Sequence, residues 1–208
     1  MGFEGMQVGL LEFASVRELA RRVSELATCA SGAVPAIRID VRVLSAESLP
    51  VSDVDDYFRA FGAAGLGQLA VWRGDVAARA LLWLPGRSPG VLASALNGAA
   101  TSPHVALSEN QLSFLNQWGA CVHRAFAAAV SDLGALEVDS RVGRPAATPL
   151  ASALAGLRRG TRECDAESWV FGLRLRTSGR QVRGLYAAWP SIGGAKALRL
   201  AIEHPEAA

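Results

Sequence analysis

The side chains able to do chemistry are few and poorly grouped. His104, His123 and His204 share no spacing with one another or with Cys29, Cys121 and Cys164, so no metal-ligand set is written in the chain. There is no Cys-x-x-Cys, and an odd number of scattered cysteines reads as reduced, buried thiols. Gly62-x-x-Gly65-x-Gly67 precedes a strand rather than a helix and cannot cradle a phosphate in the dinucleotide manner. Neither a Gly-x-Ser-x-Gly elbow nor a P-loop occurs. Two small polar groups on helical segments remain. Glu12 and Ser15 stand three apart and leave a helix on one side, as an ordinary exposed pair also would. Asn116 and Gln117 are adjacent amides and cannot share a helical face.

The elements that must position these groups follow from apolar periodicity. Residues 10–30 repeat at helical spacing through Leu11, Val16, Leu19, Val23 and Leu26, with Ser31-Gly32 as the stop. Ala36 to Leu44 alternates as a half-buried strand. Ser52-Asp53 caps a short helix through Phe61. Leu66–Trp72 and Val76–Leu84 form a hairpin around Arg73-Gly74-Asp75. Ser88–Leu96 is a helix with Pro89 in its first turn and Asn97-Gly98 as its end.

The same order then returns. Ser108 caps a long helix to Leu133, Leu136–Ser140 is a short strand, and Arg141–Ala147 reads as an irregular loop. Thr148-Pro149 opens a helix through Leu157. Trp169–Arg176 and Val182–Trp189 make a second hairpin across Ser178-Gly179-Arg180, and Ser191–Ile202 closes the chain. Val182 and Trp189 stand 106 positions after Val76 and Trp83, and a proline follows each tryptophan. Repetition of this kind predicts one domain built from two repeats, residues 1–100 and 101–208, with Thr101-Ser102-Pro103-His104 between them. The expected fold class is α+β: an internal duplication with pseudo-twofold symmetry, an antiparallel sheet, and two long helices on one face.

Composition narrows the rest. The chain has 208 residues, half of them apolar, enough for one good core or two fused small ones. No run reaches the roughly 18–20 apolar residues of a membrane helix, and Met1–Gly5 opens no secretory signal, so a cytoplasmic protein is expected. Net charge is +2 with Lys196 the only lysine. The arginine pairs Arg21-Arg22 and Arg158-Arg159 lack interleaved aromatics, so nucleic acid is not expected.

The segment Leu107-Ser108-Glu109-Asn110-Gln111-Leu112-Ser113-Phe114-Leu115-Asn116-Gln117-Trp118-Gly119-Ala120 resembles the second long helix of the CheC-type chemotaxis phosphatases, whose relatives are CheX and the middle domains of FliY and FliM. Ser131-Asp132-Leu133-Gly134, Leu136–Ser140 and the Gly179 hairpin fall where that family has them, so the resemblance spans nearly the whole chain. It implies a signalling protein that docks on a CheY-like response regulator through the helices at 10–30 and 108–133. In the family each long helix carries Glu-x-x-Asn. The Asn amide orients a water in line with the regulator's aspartyl phosphate, and the Glu pairs with the regulator's lysine. That is positioning chemistry, with the Mg²⁺ carried by the partner and no cofactor of its own.

This chain departs from the motif. Aligning Gly119-Ala120 places Phe114 at the acid and Gln117 at the amide, while a one-residue slip places Ser113 and Asn116 there. In the first half Glu12 matches the acid and Ser15 replaces the amide. The implied catalytic positions are therefore Glu12, Ser15, Asn116 and Gln117, with Glu109, Ser113 and Trp118 at the partner. Glu109 also reads as an N-terminal dipole partner, and Trp118 equally as core. Trp72, Trp83, Trp169 and Trp189 read as core. The alternative reading is a scaffold that kept the fold, lost the chemistry, and binds a CheD-type or motor-switch component.

Overall fold

The structure, a computed structural model, describes residues 8–9, 14–33, 38–94, 107–159, 167–177 and 179–203. Glu12, His104, His204, Cys164 and the Thr101–His104 boundary lie outside these residues. In chain order the elements are β1 (Val8–Gly9), α1 (Ala14–Ala33), β2 (Asp40–Pro50), α2 (Val54–Arg59), β3 (Ala64–Gly74), β4 (Ala78–Pro85), α3 (Ser88–Ser94), α4 (Glu109–Gly134), β5 (Val138–Val142), β6 (Ala146–Pro149), α5 (Leu150–Arg158), β7 (Glu167–Thr177), β8 (Arg180–Pro190) and α6 (Ile192–Glu203).

Both expected hairpins form. Trp72 faces Ala78 and Thr177 faces Arg180 at their ends. Gly74, at φ 105°, is required twice over: the turn needs a left-handed residue, and a β-carbon there would stand 2.1 Å from the Glu137 carbonyl oxygen. The strands make one antiparallel sheet in the order β1-β2-β7-β8-β4-β3-β5, with β6 also pairing β3. Exchanging the two halves of the chain leaves the core order β2-β7-β8-β4-β3-β5 unchanged, merely reversed. At its centre Leu81 pairs with Ala187, the residue 106 positions further on.

Both faces of this sheet are covered. Alternate residues of the central strands point to opposite sides. Ala80, Leu82, Leu84, Phe171, Leu173 and Tyr186 pack with α1, α3, α4 and α6. Leu81, Trp83, Val170, Leu185, Ala187 and Trp189 pack with α2 and α5. The long helices thus share one face, as expected, but α2 and α5 take the other, because the hairpins are apolar on both sides. All five tryptophans are buried, Trp83 and Trp189 in the smaller cluster and the rest in the larger. Truncating one of these would cost about 3–5 kcal/mol.

Three segments differ from expectation. The 141–147 stretch is not a loop: β5 and β6 lie along β3, interrupted only at 143–145, and Pro149 both ends β6 and caps the start of α5. β2 runs to Pro50, past the expected Leu44, with a bulge between Val43 and Ser45. α1 passes through Ser31-Gly32 to Ala33.

Among the described residues, the outer side of β2 meets β1 at Glu47 and Ser48 alone. Further along, its Val41 and Val43 N–H groups donate to the Thr28 hydroxyl (3.0 Å) and the Ser24 hydroxyl (3.2 Å) of α1. An exposed strand edge invites pairing with another chain, and these two hydroxyls close this one.

Candidate docking face and the amide beneath it

α4 starts with a capping box. The Ser108 hydroxyl accepts from the Gln111 N–H at 3.3 Å, and the Gln111 side chain accepts from the Ser108 N–H at 2.9 Å. Glu109 lies in the first turn, where a carboxylate favours the helix dipole. From there Glu109, Ser113, Gln117, Arg124, Ala128 and Asp132 form one exposed stripe. α1 exposes Ala14, Arg17, Glu18, Arg21 and Glu25 in the same way. Arg22 of α1 and Asp132 of α4 join the helices by an ion pair at 2.9 Å. Together the two stripes make a polar outer surface of helix pairs, with Arg21 already held by Glu18 and Glu25.

The sequence-expected residues divide by depth. Glu109, Ser113 and Gln117 are on the stripe. Phe114 is 4% exposed, and Trp118 at 1% exposure is core, so it offers no anchor to a partner. The reason is that α4 packs against α1, α3, α6 and the sheet at once, which buries more than one side of it. Ser15 is half-buried, and its hydroxyl donates to the Ile202 carbonyl of α6 at 3.0 Å.

Asn116 points the other way from its neighbour Gln117. It is half-buried, and its carboxamide oxygen accepts from Gln68 Nε2 at 3.1 Å. Gln68, on β3 and only 2% exposed, also donates from Nε2 to the Gly143 carbonyl at 2.9 Å and the Asn116 carbonyl at 3.3 Å. This orientation of the Gln68 amide is forced, since an oxygen in its place would face three acceptors. Two helical turns further along α4, His123 Nε2 donates to the Gln68 backbone carbonyl at 3.1 Å. That leaves His123 Nδ1 to accept from the Tyr186 hydroxyl at 3.0 Å. Burial holds His123 neutral by lowering its pKa to about 4, and burial pushes the Tyr186 hydroxyl well up. Tyr186 stacks on Phe126 with ring centres 3.7 Å apart.

The Gln68 carboxamide oxygen packs against Gly119, so Asn116, Gly119 and His123 are three contacts by which α4 grips one strand residue. Gln68 was not among the sequence candidates. Its marks are a lone amide within the apolar run Leu66–Trp72 and a glycine, Gly119, in mid-helix. Arranged this way, the amides lock a helix to a sheet. Among the described residues no carboxylate accompanies an outward amide at i, i+3 on α4, and no cluster of His, Cys, Asp or Glu could hold a metal. Nor is any described helix long and apolar enough to cross a membrane.

No family model matches the chain, and no curated protein matches it. Among solved structures it is similar to Thermotoga maritima FliY, at 13% identity over 97% of this chain and 100% of that chain, with a TM-score of 0.67. A chain of the FliM–SpeE complex from H. pylori matches at 8% identity, 96% and 98% coverage, and TM-score 0.66. The FliM middle domain from H. pylori follows at 10% identity, 92% and 97% coverage, and TM-score 0.59. At such identities the likeness is one of fold: this chain has the CheC/FliY-type α+β fold that its long-helix segment resembles.

Proposed function

We propose that the chain is a CheC-type signalling protein that docks on a CheY-like response regulator through the outer faces of α1 and α4, and that it has lost aspartyl-phosphate phosphatase chemistry. The observation that carries this reading is the Asn116 amide, whose oxygen is taken by Gln68 beneath the helix. Gln117, the outward amide, has Phe114 three positions before it, buried and without charge. In the first half Ser15 is engaged by the Ile202 carbonyl, which removes a free hydroxyl from that position as well. A helix pair with polar, exposed stripes remains available for binding while its water-orienting pair is not. The two-repeat domain organisation belongs to the same proposal, and the exchange symmetry of the strand order supports it.

The test uses a cognate CheY-like regulator labelled with acetyl phosphate and Mg²⁺. Binding is expected by calorimetry, with dephosphorylation within twofold of the regulator's own rate. Ser113→Arg and Gln117→Arg should each weaken binding at least tenfold. A clear acceleration of dephosphorylation would overturn the lost chemistry, and absence of binding would overturn the partner.

A second reading has its own support. Chains of the FliM–SpeE and FliG–FliM complexes from H. pylori share the fold at TM-scores of 0.66 and 0.63. Under it the chain is a scaffold for a motor-switch or CheD-type component. Binding to such a component with none to a regulator would favour it.

A further inference from the structure

Opposite the long helices, the far end of the sheet carries a row of arginines that nothing balances. Arg42 of β2 faces Arg174 of β7, and Arg174 faces Arg183 of β8. Directly opposed residues point to one side of a sheet, and neighbouring strands are about 4.8 Å apart. Three guanidinium groups therefore share about 10 Å. Arg176, in the next row, faces Asp40, whose carboxylate is already held by Arg38 at 3.0 Å. Among the described residues no hydrogen bond or ion pair holds the guanidinium group of Arg42, Arg174, Arg176 or Arg183. The Arg174 Nε is moreover buried without a partner. Like charges directly opposed across strands are unfavourable, and so is a buried donor left unpaired.

The other half shows how the same place is normally balanced. The position equivalent to Arg174 in the first hairpin, by exchange of the halves, is Arg73. Across β3–β5 it faces Asp139, an acid, where Arg174 faces Arg42. One end of the sheet thus sets an acid opposite this arginine, and the other sets a second arginine there.

We propose that this face receives an acidic segment of a partner protein, with two or more carboxylates seated on Arg42, Arg174 and Arg183. The chemistry of the surroundings selects a protein. All five tryptophans are buried, so none of them offers a stacking platform to bases. Leu44, 48% exposed at the β2 bulge beside Arg42, gives the rim an apolar contact. The surface is the end of the sheet face that α2 and α5 leave uncovered, suited to carboxylates repeated along a segment and held by forked guanidinium donors. Arg174 and Arg183 point to the side of the sheet away from α1 and α4, while Arg42, on the edge strand, also lines the groove between α1 and β2 with Arg17 and Arg21.

The experiment measures fluorescence anisotropy of a labelled deca-glutamate peptide titrated with the full chain at 50 and 300 mM NaCl. Saturable binding is expected at the lower salt, weakening as salt rises. Arg42→Gln with Arg183→Gln should weaken it at least tenfold. Arg174→Gln alone should weaken it several-fold, and Arg73→Gln with Arg141→Gln, at the other end, less than twofold. Circular dichroism establishes that each variant is folded. The proposal fails if the peptide does not bind, or if both ends lose affinity equally. It fails too if duplex DNA or anionic lipid vesicles compete through the same arginines as well as unlabelled peptide does.

Discussion

The Gln68 carboxamide oxygen lies 1.9 Å from where a β-carbon on Gly119 would stand. In an open helix, glycine to alanine is worth up to about 1 kcal/mol of added stability. Here the sign reverses. Gln68 cannot swing aside without losing the bonds its Nε2 makes to Asn116 and Gly143. Gly119→Ala is expected to destabilise by roughly 1–3 kcal/mol in urea denaturation. Adding Gln68→Ala should recover part of that loss, and an additive double variant would contradict the coupling.

His123 gives the fold a defined acid sensitivity. Its pKa falls from 6.5 to about 4 on burial, so between those values the unfolded chain binds the proton and the folded chain does not. Stability is therefore complete above about pH 6.5 and declines as pH falls toward 4, by about 3 kcal/mol over the window. Thermal unfolding from pH 7.5 to 4 checks this. His123→Gln should be less stable at pH 7.5 and lose most of that slope.

Arg42→Asp should stabilise the protein. It would set an acid opposite Arg174, as Asp139 stands opposite Arg73. Such a cross-strand pair is worth about 0.2–1 kcal/mol. The gain should shrink in 0.5 M NaCl, and a drop in melting temperature would contradict the charge reading.

Ser24→Ala with Thr28→Ala should uncover the outer edge of β2. Each lost hydroxyl leaves a strand N–H without its acceptor, at about 1 kcal/mol apiece. Sedimentation velocity should then show self-association absent from the parent chain.

Most of the frame was legible in the sequence because it rests on strong local rules. Gly74 and Gly179 both have positive φ, so the hairpins around them announce themselves. Ser108 likewise marks the start of α4. What was hidden depends on tertiary context. β5 and β6 lie at the edge with alternately exposed residues, and Arg141, Gly143 and Pro145 read as loop until β3 supplies their partner. Trp118 looked able to face a partner because periodicity cannot reveal how many elements surround a helix. Gln68 escaped notice because one amide in an apolar strand gains meaning only from the helix above it. The resemblance of α4 to the CheC-type helix carried the fold correctly, while the depth of Asn116 had to come from three dimensions.

The reversed strand order has a consequence for biosynthesis. β2 finds its long partner only in β7, and β5 and β6 find theirs only in β3, so each half splints the other. A nascent first half emerging from the ribosome holds an unmatched strand until residues 167–177 follow, on the order of ten seconds at ordinary translation rates. Severed near residue 102, the two fragments should be insoluble apart and recover the native spectrum only when mixed in equal amounts.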